Sequence, residues 1–546
     1  MKGETMTYSD AERTGQRTDD VSRLPAWQGP AASVAYDEAG MAKVVRTLGR
    51  PCYVVRNGRG VGVTNEGGIA GGGQEEHEAL FVAPAMSRRS LGDRAFLETY
   101  GLDCAYMAGS MANAISGEEI VIALGRAGML GAFGSGGLPP ARLEASIRRI
   151  QEALPEGPYA FNLIHSPNEP LLEQRAVDLF LAHGVSTVEA SAFLALTPHV
   201  VRYRAAGLAQ GRDDEVVVRN RLIAKVSRRE VAAHFLNPAP EKLLRPLVEQ
   251  GLITAQQAAL AARVPMADDI TLEADSGGHT DNRPLVCLLP SIIAQRDEVQ
   301  AQRRYATPVR IGAAGGLGTP ISILGAFMMG AAYVVTGSIN HSCVEAGTSE
   351  QVKALLAQAG MADVMMAPAA DMFEMGVNLQ VLKRGTMFPL RARKLYELYQ
   401  AYDGLDALPA TEREKLETQI LQRSVDEVWE ACVTFFNERD PRQIERALTH
   451  PKRKMALVFR WYLGLATRWG IAGEPGRELD YQIWCGPAMG AFNDWARGSR
   501  FEAPAGRRVA EVGGALMDGA ALLYRLELLK LAGLKLSTGS MLFEGV

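Results

Sequence analysis

Residues Ile270–Pro284 read ITLEADSGGHTDNRP, an alternating apolar run followed by a glycine pair and a single histidine. The run Ile270–Ala274 predicts the end of a buried strand. Gly277 and Gly278 carry no Cβ, so the backbone can turn sharply there and approach a ligand closely. His279, directly after this turn, indicates a site at the carboxyl end of a parallel strand. A tight turn that carries a surface histidine fits the same residues.

The strand-and-turn pattern recurs on both sides of this stretch. Between residues 103 and 340, short apolar runs alternate with longer segments at helical spacing. The predicted strands are Cys104–Met107, Met129–Phe133, Tyr159–Ile164, Ser186–Ala190, Leu222–Val226, Ile270–Ala274, Val309–Ala313 and Tyr333–Thr336. Repeated βαβ units predict an α/β fold, and eight strands are the number that closes a (β/α)8 TIM barrel. An open doubly wound sheet suits the same pattern, but no GxGxxG motif follows the first strand.

The segments around these units give the predicted domain organisation. The predicted parts are a disordered tail at 1–30, a small β-containing segment at 31–102, the barrel at 103–400 with a helical insert at 227–268, and a helical C-terminal subdomain at 401–546. The insert follows the fifth strand, where it would lie beside the barrel mouth and cover a substrate. After Gly347 the strand pattern stops, and residues 348–400 are predicted to be helical.

The composition excludes several classes of protein. The 546 residues are 47% hydrophobic and 22% charged, which is typical of a globular protein with a substantial core. A net charge of −4 argues against binding nucleic acid by bulk electrostatics. The six cysteines are widely spaced, so neither a disulfide framework nor a zinc site is predicted, and we expect a cytoplasmic location. The polar N-terminus lacks a signal peptide, and no apolar run approaches the ~18 residues of a membrane span.

Two further glycine turns follow the seventh and eighth predicted strands. The first contains Gly315 and Gly316 and leads into a helix that Thr319 would cap, and the second is Thr336–Ser338. Backbone N–H groups at such turns and the positive end of a helix dipole form an anion site. Barrels often hold a phosphate on these two loops. The pair therefore predicts a phosphate site, although either turn alone is also typical of an ordinary loop.

Individual polar residues at the strand ends keep two interpretations each. Lys225, within the fifth strand, would lose hydration there unless it has an anionic partner; it could serve the site, or its side chain could simply snorkel to water or pair with a carboxylate. Asn162, in the third strand, can offer its amide to a ring heteroatom or cap the turn. His165, His279 and His341 match no metal motif such as HExxH, so we predict no metal site.

The same strand ends carry a family resemblance. The motifs Met107-Ala108-Gly109, Asn162-Leu163, Glu273–His279, Gly315-Gly316 and Thr336–Ser338 resemble the barrel of FMN-dependent nitronate monooxygenases and flavin enoyl-thioester reductases. The longer strings NLIHSPNEP, EADSGGHTDNRP, VVTGSINHSCVEAGTSEQ and YQIWCGPAMGAFNDW are similar to the PfaD-type, trans-acting enoyl reductases of polyunsaturated-fatty-acid and polyketide synthases. The resemblance extends over about residues 50–535.

The resemblance implies that FMN binds at the carboxyl ends of the barrel strands. Its phosphate would be held by Gly315, Gly316, Gly337 and Ser338. Its isoalloxazine ring would be bordered by Met107, Ala108, Gly109, Asn162, Gly277 and Gly278. We infer that Lys225 would lie near the N1/C2 edge of the ring, where a positive charge stabilises the reduced flavin.

The resemblance also implies an activity. A trans-acting enoyl reductase would use NADPH and FMN to reduce the α,β-double bond of an enoyl thioester on an acyl carrier protein, during polyketide or polyunsaturated-fatty-acid biosynthesis. His279 matches the general base of the nitronate enzymes, and here it would donate or accept a proton or bind the thioester carbonyl. Carrier proteins are acidic, so the basic stretch Lys452–Arg460 is a candidate docking surface.

Other interpretations stay open at this point. The alternative activity is that of a nitronate monooxygenase, which would share the flavin and His279. A third interpretation is an assembly subunit that kept the fold without catalysis. We predict no nucleic-acid or membrane partner, and the sequence leaves open whether the chain forms a homodimer.

Overall fold

The computed structural model describes residues 25–70, 77–165 and 170–534. The strands run, in order, β1 Ala26–Gln28, β2 Cys52–Asn57, β3 Gly60–Thr64, β4 Gly68–Ala70, β5 Glu78–Ala83, β6 Tyr106–Ala108, β7 Leu130–Phe133, β8 Ala160–Ile164, β9 Thr187–Ser191, β10 Leu208–Gln210, β11 Val216–Val218, β12 Arg221–Val226, β13 Asp269–Glu273, β14 Gly278–His279, β15 Arg310–Ala314, β16 Val334–Thr336, β17 Val364–Pro368 and β18 Asn378–Leu382.

The helices alternate with the strands as far as β16 and predominate after it. They are α1 Glu38–Arg46, α2 Arg94–Tyr100, α3 Glu118–Arg126, α4 Pro140–Ala153, α5 Pro170–Ala182, α6 Pro198–Ala206, α7 Arg229–Leu236, α8 Glu241–Glu249, α9 Ala255–Ala261, α10 Leu285–Arg303, α11 Pro320–Met328, α12 Ser338–His341, α13 Glu350–Ala357, α14 Phe388–Ala401, α15 Ala410–Lys415, α16 Val425–Arg439, α17 Arg442–Thr449, α18 Pro451–Ala472, α19 Ala488–Ala496 and α20 Val509–Leu531.

The smaller of two compact units comprises the described parts of Met1–Met86 and Arg525–Met541. Its five strands form an antiparallel sheet in the order β3-β2-β5-β1-β4. Trp27 on β1 is buried, and its indole N–H donates to the carbonyl of Glu66 at 3.0 Å. Residues 1–24 of the predicted disordered tail at 1–30 lie outside the described residues. For residues 26–28 the prediction is wrong, because they form β1 and Trp27 packs in a hydrophobic core.

The C-terminal segment of this unit is held by one buried side chain. Arg525 is fully buried, and its guanidinium donates hydrogen bonds to five carbonyl oxygens, those of Val45, Thr47, Leu48, Arg50 and Pro84. Burial lowers the pKa of Arg525, and the carbonyl groups replace the water that the cation has lost. From Arg525 onward, the described residues of the predicted subdomain at 401–546 therefore belong to the smaller unit and not to the C-terminal helices.

The larger unit, within Ser87–Tyr524 and Leu542–Val546, contains a closed barrel. Its parallel strands follow one another as β6-β7-β8-β9-β12-β13-β15-β16. The barrel closes where β16 pairs with β6, with Val335 opposite Met107 and Thr336 opposite Ala108. The eight predicted strands and the TIM-barrel fold class are confirmed.

Helix α2 covers the amino-terminal end of the barrel. Phe96 stacks on Tyr333 with ring centroids 4.2 Å apart, and Tyr100 donates to Asp269 Oδ2 at 2.6 Å. Asp269 also accepts from Arg310 Nε at 2.6 Å, and both residues are buried. Breaking one partner of such a pair costs about 3–5 kcal/mol. Helix α2 thus belongs to the barrel unit, although the sequence assigned it to the segment 31–102.

Between the fifth barrel strand, β12, and β13, the chain forms α7, α8 and α9, within the predicted helical insert at 227–268. The hairpin β10–β11, which precedes β12, was not predicted. The prediction of helix alone over 348–400 is wrong, because β17 and β18 pair there and β18 also pairs with β14. Short apolar runs such as VMMAP and NLQVL suit a strand or a buried helix, and pairing partners decide between them.

The C-terminal helices share one core with the end of the barrel segment. Buried residues from α14, α16 and α18 pack together with Phe373 and Val381 from the loop and strand before them. Phe373 lies edge-on to Phe459 of α18 with ring centroids 6.2 Å apart. The helical C-terminal region is therefore present, but the predicted boundary at 400/401 cuts through this core instead of separating two cores.

Candidate active site

A cavity of about 1010 Å³ opens at the carboxyl ends of the barrel strands. This volume is at the upper end of the ~300–1,000 Å³ range of small-molecule sites. Most of the site residues predicted from the sequence line it: Gly109, Asn162, Lys225, Gly277, Gly278, His279, Gly315, Gly316, Gly337 and Ser338. Tertiary structure thus brings residues from six different strand ends to one wall.

Two predicted residues do not line the cavity. Met107 is fully buried in the barrel interior, in the cluster that contains Leu130 and Val335. Ala108 is also fully buried on β6. At β6 the last strand residues pack inside the barrel, and only the turn beyond them reaches its mouth. The wall at β6 is instead formed by Gly109, Ser110 and Met111.

The two predicted phosphate turns lie side by side at this mouth. Gly315 and Gly316 follow β15 with φ of +87° and +73°, a left-handed conformation that strains other residues. No described atom lies within 4 Å of the position that a Cβ of Gly316 or of Gly337 would take. Gly337 precedes the short helix α12, and barrels commonly bind phosphate on these two loops and a short extra helix.

The start of α11, which the sequence included in the anion site, is closed by the chain itself. Thr319 Oγ1 accepts from the Ser322 amide at 3.3 Å. A Cβ on Gly318 would come within 2.3 Å of the Ala488 carbonyl oxygen, so α19 covers this end of the helix. The anion site is therefore restricted to the glycine turns and the start of α12.

The segment around Cys485 and Gly486 packs against two of these turns, a contact that the sequence pattern did not predict. The amide of Gly486 donates to Ser338 Oγ at 2.9 Å. A Cβ on Gly277 would lie 2.8 Å from the amide nitrogen of Cys485. Gly277 is thus required by this close approach of two chain segments, whereas the sequence suggested close approach to a ligand.

His279 lies on β14 and faces a carboxylate. Its Nε2 is 3.2 Å from Asp371 Oδ1, and the side chains are 37% and 46% exposed, respectively. Burial alone would lower the His279 pKa, but Asp371 and, more weakly, Glu273 outweigh it and raise the pKa above its usual value. Conversely, His279 lowers the pKa of Asp371 against the effect of burial. Each partner of the pair therefore stabilises the charged form of the other.

Lys225 on β12 forms an ion pair with a carboxylate of the neighbouring strand β13. Its Nζ is 3.1 Å from Glu273 Oε1, and 13% of its side chain is exposed. Burial would lower the Lys225 pKa, but Glu273 and Glu189 outweigh it and raise the pKa. The carboxylate interpretation of Lys225 is thus realised, while its side chain still lines the cavity.

The side-chain amide of Asn162 is held by hydrogen bonds to the neighbouring strand β9. Its Nδ2 donates to the carbonyl of Glu189 at 3.0 Å and to Ser191 Oγ at 2.8 Å. Below it, the Glu189 carboxylate accepts from the Ser110 amide at 3.1 Å. The amide orientation of Asn162 is therefore set before any ligand binds.

Three buried polar atoms on the cavity wall have no hydrogen-bond partner among the described residues. These are Ser276 Oγ, Gln482 Oε1 and Trp484 Nε1. A buried donor or acceptor without a partner costs about 1–3 kcal/mol. A ligand with polar groups near the turn after β13 and near the C-terminal segment would relieve this cost.

The other histidines near the strand ends have structural partners. His165 Nδ1 lies 3.0 Å from Glu173 Oε2. His341 is buried, which lowers its pKa to about 4, and its Nδ1–H donates to the Trp484 carbonyl at 3.2 Å. Within the described part of the chain, no group of three or more histidine, cysteine or acidic side chains could hold a metal ion. No described helix is long and apolar enough to cross a membrane.

Basic side chains of the stretch Lys452–Arg460 contact other residues of the C-terminal region. Lys452 Nζ donates to the Tyr402 carbonyl at 2.6 Å, and Lys454 Nζ lies 5.1 Å from the centroid of the Trp429 ring. Arg453 forms an ion pair with Glu374. These contacts hold α18 against its neighbours, so the predicted docking surface is not a free basic face.

Three family models match successive parts of the chain. The family model described as nitronate monooxygenase matches residues 104–398. The model of the N-terminal domain of the fatty acid synthase protein PfaD matches residues 27–85, and that of the inserted helical domain of [acyl-carrier-protein] S-malonyltransferase matches residues 402–481.

Individual relatives extend the similarity over most of the chain. One of the polyunsaturated fatty acid synthase subunits of a Thraustochytrium species is 46% identical over 97% of the chain, and polyketide biosynthesis protein PksE of Bacillus subtilis is 46% identical over 81%. The chain spans only 35% and 57% of these two relatives.

A crystal structure gives the same result for the fold. The enoyl reductase domain of MlnA, from the macrolactin cluster of Bacillus amyloliquefaciens, is 39% identical, with a TM-score of 0.77. The match covers 81% of this chain and 99% of that domain. The nitronate monooxygenase model alone matches more than half of the 546 residues. The chain therefore belongs to the nitronate monooxygenase family, in the PfaD-type group, whose relatives include a polyunsaturated fatty acid synthase subunit and a polyketide biosynthesis protein.

Proposed function

We propose that the chain is a trans-acting, FMN-dependent enoyl reductase that uses NADPH to reduce enoyl thioesters carried by an acyl carrier protein. The observation that supports this most directly is the His279–Asp371 pair, 3.2 Å apart, at a cavity walled by glycine turns. The 39% identity to an enoyl reductase domain over almost its whole length supports the same reaction class.

The residues present suit FMN. The open turns at Gly316 and Gly337 leave room for a phosphate that would accept from backbone N–H groups. The unpartnered Ser276 Oγ and Trp484 Nε1 offer hydrogen bonds to polar edges of a ring placed over the barrel. When bound, FMN would supply the hydride transfer that amino-acid side chains cannot perform.

The roles of the chain's own residues follow from their charges. Lys225, held cationic by Glu273, favours additional negative charge on a ring above it. His279, whose raised pKa keeps it protonated to higher pH, would donate a proton to the α-carbon of the substrate. The Asp371 carboxylate would orient the imidazole of His279 and stabilise the protonated form of that ring.

The substrate and setting rest on relatives that are synthase components. The polyunsaturated-fatty-acid synthase relative and the polyketide biosynthesis protein favour a carrier-bound enoyl thioester over a free acid. Reduction in such a synthase would take place in the cytoplasm, and the acyl carrier protein would be the partner.

Anaerobic titration of the purified full-length chain tests the proposal. Added NADPH should bleach the flavin absorbance, and an enoyl-carrier substrate should restore it with formation of one saturated thioester per flavin. NADH in a parallel titration defines the coenzyme preference. A flavin that NADPH reduces but no enoyl thioester reoxidises would contradict the proposed reaction.

The second candidate is nitronate oxidation, which the family match over residues 104–398 favours. In that reaction His279 would accept a proton, and its raised pKa makes the unprotonated form less available than in an ordinary histidine at the same pH. Oxygen uptake with a nitronate, compared with NADPH consumption with an enoyl thioester on the same preparation, separates the two activities.

A further inference from the structure

The cavity extends beyond the barrel mouth along two C-terminal helices. On α16 its wall includes Cys432, Phe435 and Arg439, and on α18 it includes Arg460, Trp461, Gly464 and Arg468. On α16 these positions lie three or four residues apart, and on α18 Arg460, Gly464 and Arg468 are four apart with Trp461 beside them, so each helix presents one continuous face to the cavity. The site thus has a wall outside the barrel that the chemistry at His279 does not explain.

Three residues on α18 form a row along the cavity. Arg460, Gly464 and Arg468 are spaced four residues apart and lie one above another. Gly464 is exposed, and no described atom beyond its own helix lies within 4 Å of the position a Cβ would take. A glycine within a helix costs about 1 kcal/mol relative to alanine. Here helix packing does not require the glycine, and its effect is to leave the row open between two cations.

The row carries net positive charge. Arg468 forms no ion pair or hydrogen bond with any residue that the structure describes. Arg460 Nη1 lies 3.4 Å from Glu374 Oε1, but Arg453 shares that carboxylate. The guanidinium groups of Arg453 and Arg460 thus share the single negative charge of Glu374, and Arg468 has no carboxylate partner among the described residues.

The other arginines of the cavity differ from this row. Arg228 is neutralised by Asp281, with Nη2 and Oδ1 2.8 Å apart. Arg175 is a single exposed charge on α5, and Arg439 of α16 has its guanidinium 5.4 Å from the centroid of the Phe435 ring. The α18 row is therefore the place where paired cations and an open helix surface occur together.

We propose that the row Arg460–Gly464–Arg468 binds the phosphate of a 4′-phosphopantetheine arm, and so sets the direction in which a carrier-bound substrate enters. Guanidinium groups match phosphate oxygens in a bidentate geometry. The exposed ring of Phe435 and the half-buried ring of Trp461 beside the row suit the apolar part of the arm. This inference rests on the proposed function and deepens it, because it assigns the site that distinguishes a carrier-bound thioester from a free one.

The placement of the row agrees with such a substrate. Arg460 Nη1 lies 3.4 Å from Glu374 Oε1, three residues after Asp371 on the same loop, so this end of the row is near the His279–Asp371 pair. Arg468 lies two helical turns further along, about 12 Å at ~1.5 Å per residue. The pantetheine arm separates a thioester from its phosphate by many bonds, so the thioester can reach His279 while the phosphate lies on the row.

Calorimetric titration of the full-length holoprotein with two probes tests the proposal. The probes are 4′-phosphopantetheine and pantetheine, which differ only in the phosphate. The wild-type protein should bind the phosphorylated probe about tenfold more tightly, the size of one charge-assisted contact. Arg468→Ala should remove most of this preference and Arg468→Glu all of it. The matched control is Arg245→Ala, an exposed arginine on α8 outside the cavity, which should keep it.

An equal affinity of the wild-type protein for both probes, or an unchanged preference in Arg468→Glu, would overturn the proposal. The 2′-phosphate of NADPH is the other source of a phosphate ester. If Arg468→Glu alters the NADPH-to-NADH preference and leaves the probe preference intact, the row binds the reductant and the proposal is wrong. Failure to reduce any enoyl thioester, with the probe preference present, would instead contradict the proposed function alone.

Discussion

Replacing Asp371 by asparagine tests the role of the carboxylate that faces His279. The imidazole Nε2 lies 3.2 Å from Asp371 Oδ1, and the two side chains are 37% and 46% exposed. Solvent screens a pair of this exposure to about 0.5–1 kcal/mol. Without the Asp371 charge the imidazolium loses this stabilisation, so we expect the variant to lower the His279 pKa. Asparagine keeps the shape and hydrogen-bonding capacity of the side chain, so only the charge is removed.

The sign of the effect on activity follows from the proposed proton donor. The His279 pKa is raised, so the imidazolium persists at pH values where an ordinary histidine has lost its proton. Donation is fully available below this pKa and is lost as the pH rises through it. The descending limb of kcat against pH should therefore move to lower pH in Asp371→Asn, while the acidic plateau is largely retained.

The assay is the pH profile of NADPH oxidation with an enoyl thioester. Asp178→Asn, which removes an exposed carboxylate outside the cavity, is the control and should leave the limb in place. A limb that stays where it is, or moves to higher pH, in Asp371→Asn would refute the assignment of His279 as the donor tuned by Asp371.

Three further substitutions test other parts of the site. His279→Ala should retain flavin but lower turnover by about 10²–10⁴-fold, and full activity would remove His279 from the chemistry. Lys225→Met leaves Glu273 and Glu189 without their cation, so urea unfolding should show a loss of about 2 kcal/mol, less than for a fully buried pair because some solvent reaches it; an unchanged midpoint would contradict the pairing. Gly316→Val, at φ +73°, should abolish flavin absorbance while circular dichroism stays native, and retained flavin would exclude this turn.

The site depends on parts of the chain outside the barrel. His279 is on β14, which pairs with β18 from the segment after the barrel, and Asp371 lies on the loop between β17 and β18. Glu374 on the same loop is bound by two arginines of α18. The C-terminal helices therefore support the position of the His279 partner as well as one wall of the cavity.

The eight barrel strands and most of the turns that line the cavity could be predicted from the sequence alone. Short apolar runs separated by helical segments mark the eight strands, because the strand period and the turn residues act between near neighbours in the chain. Parallel strands place their carboxyl ends at one edge. For that reason the turns at Gly277, Gly316 and Gly337 and the histidine at 279 could be assigned to one site from the sequence.

The partners of these residues come from distant segments of the chain and could not be predicted from the sequence. Asp371 is separated from His279 by 92 positions, and Gly486 from Ser338 by 148. The same holds for Met107, which packs inside the barrel instead of facing the cavity. Local periodicity reports what neighbouring residues allow, whereas contacts between distant segments depend on how the chain closes its long loops. Such closure leaves no periodic trace in the sequence, so the partners of His279 and Ser338 became visible only in the folded chain.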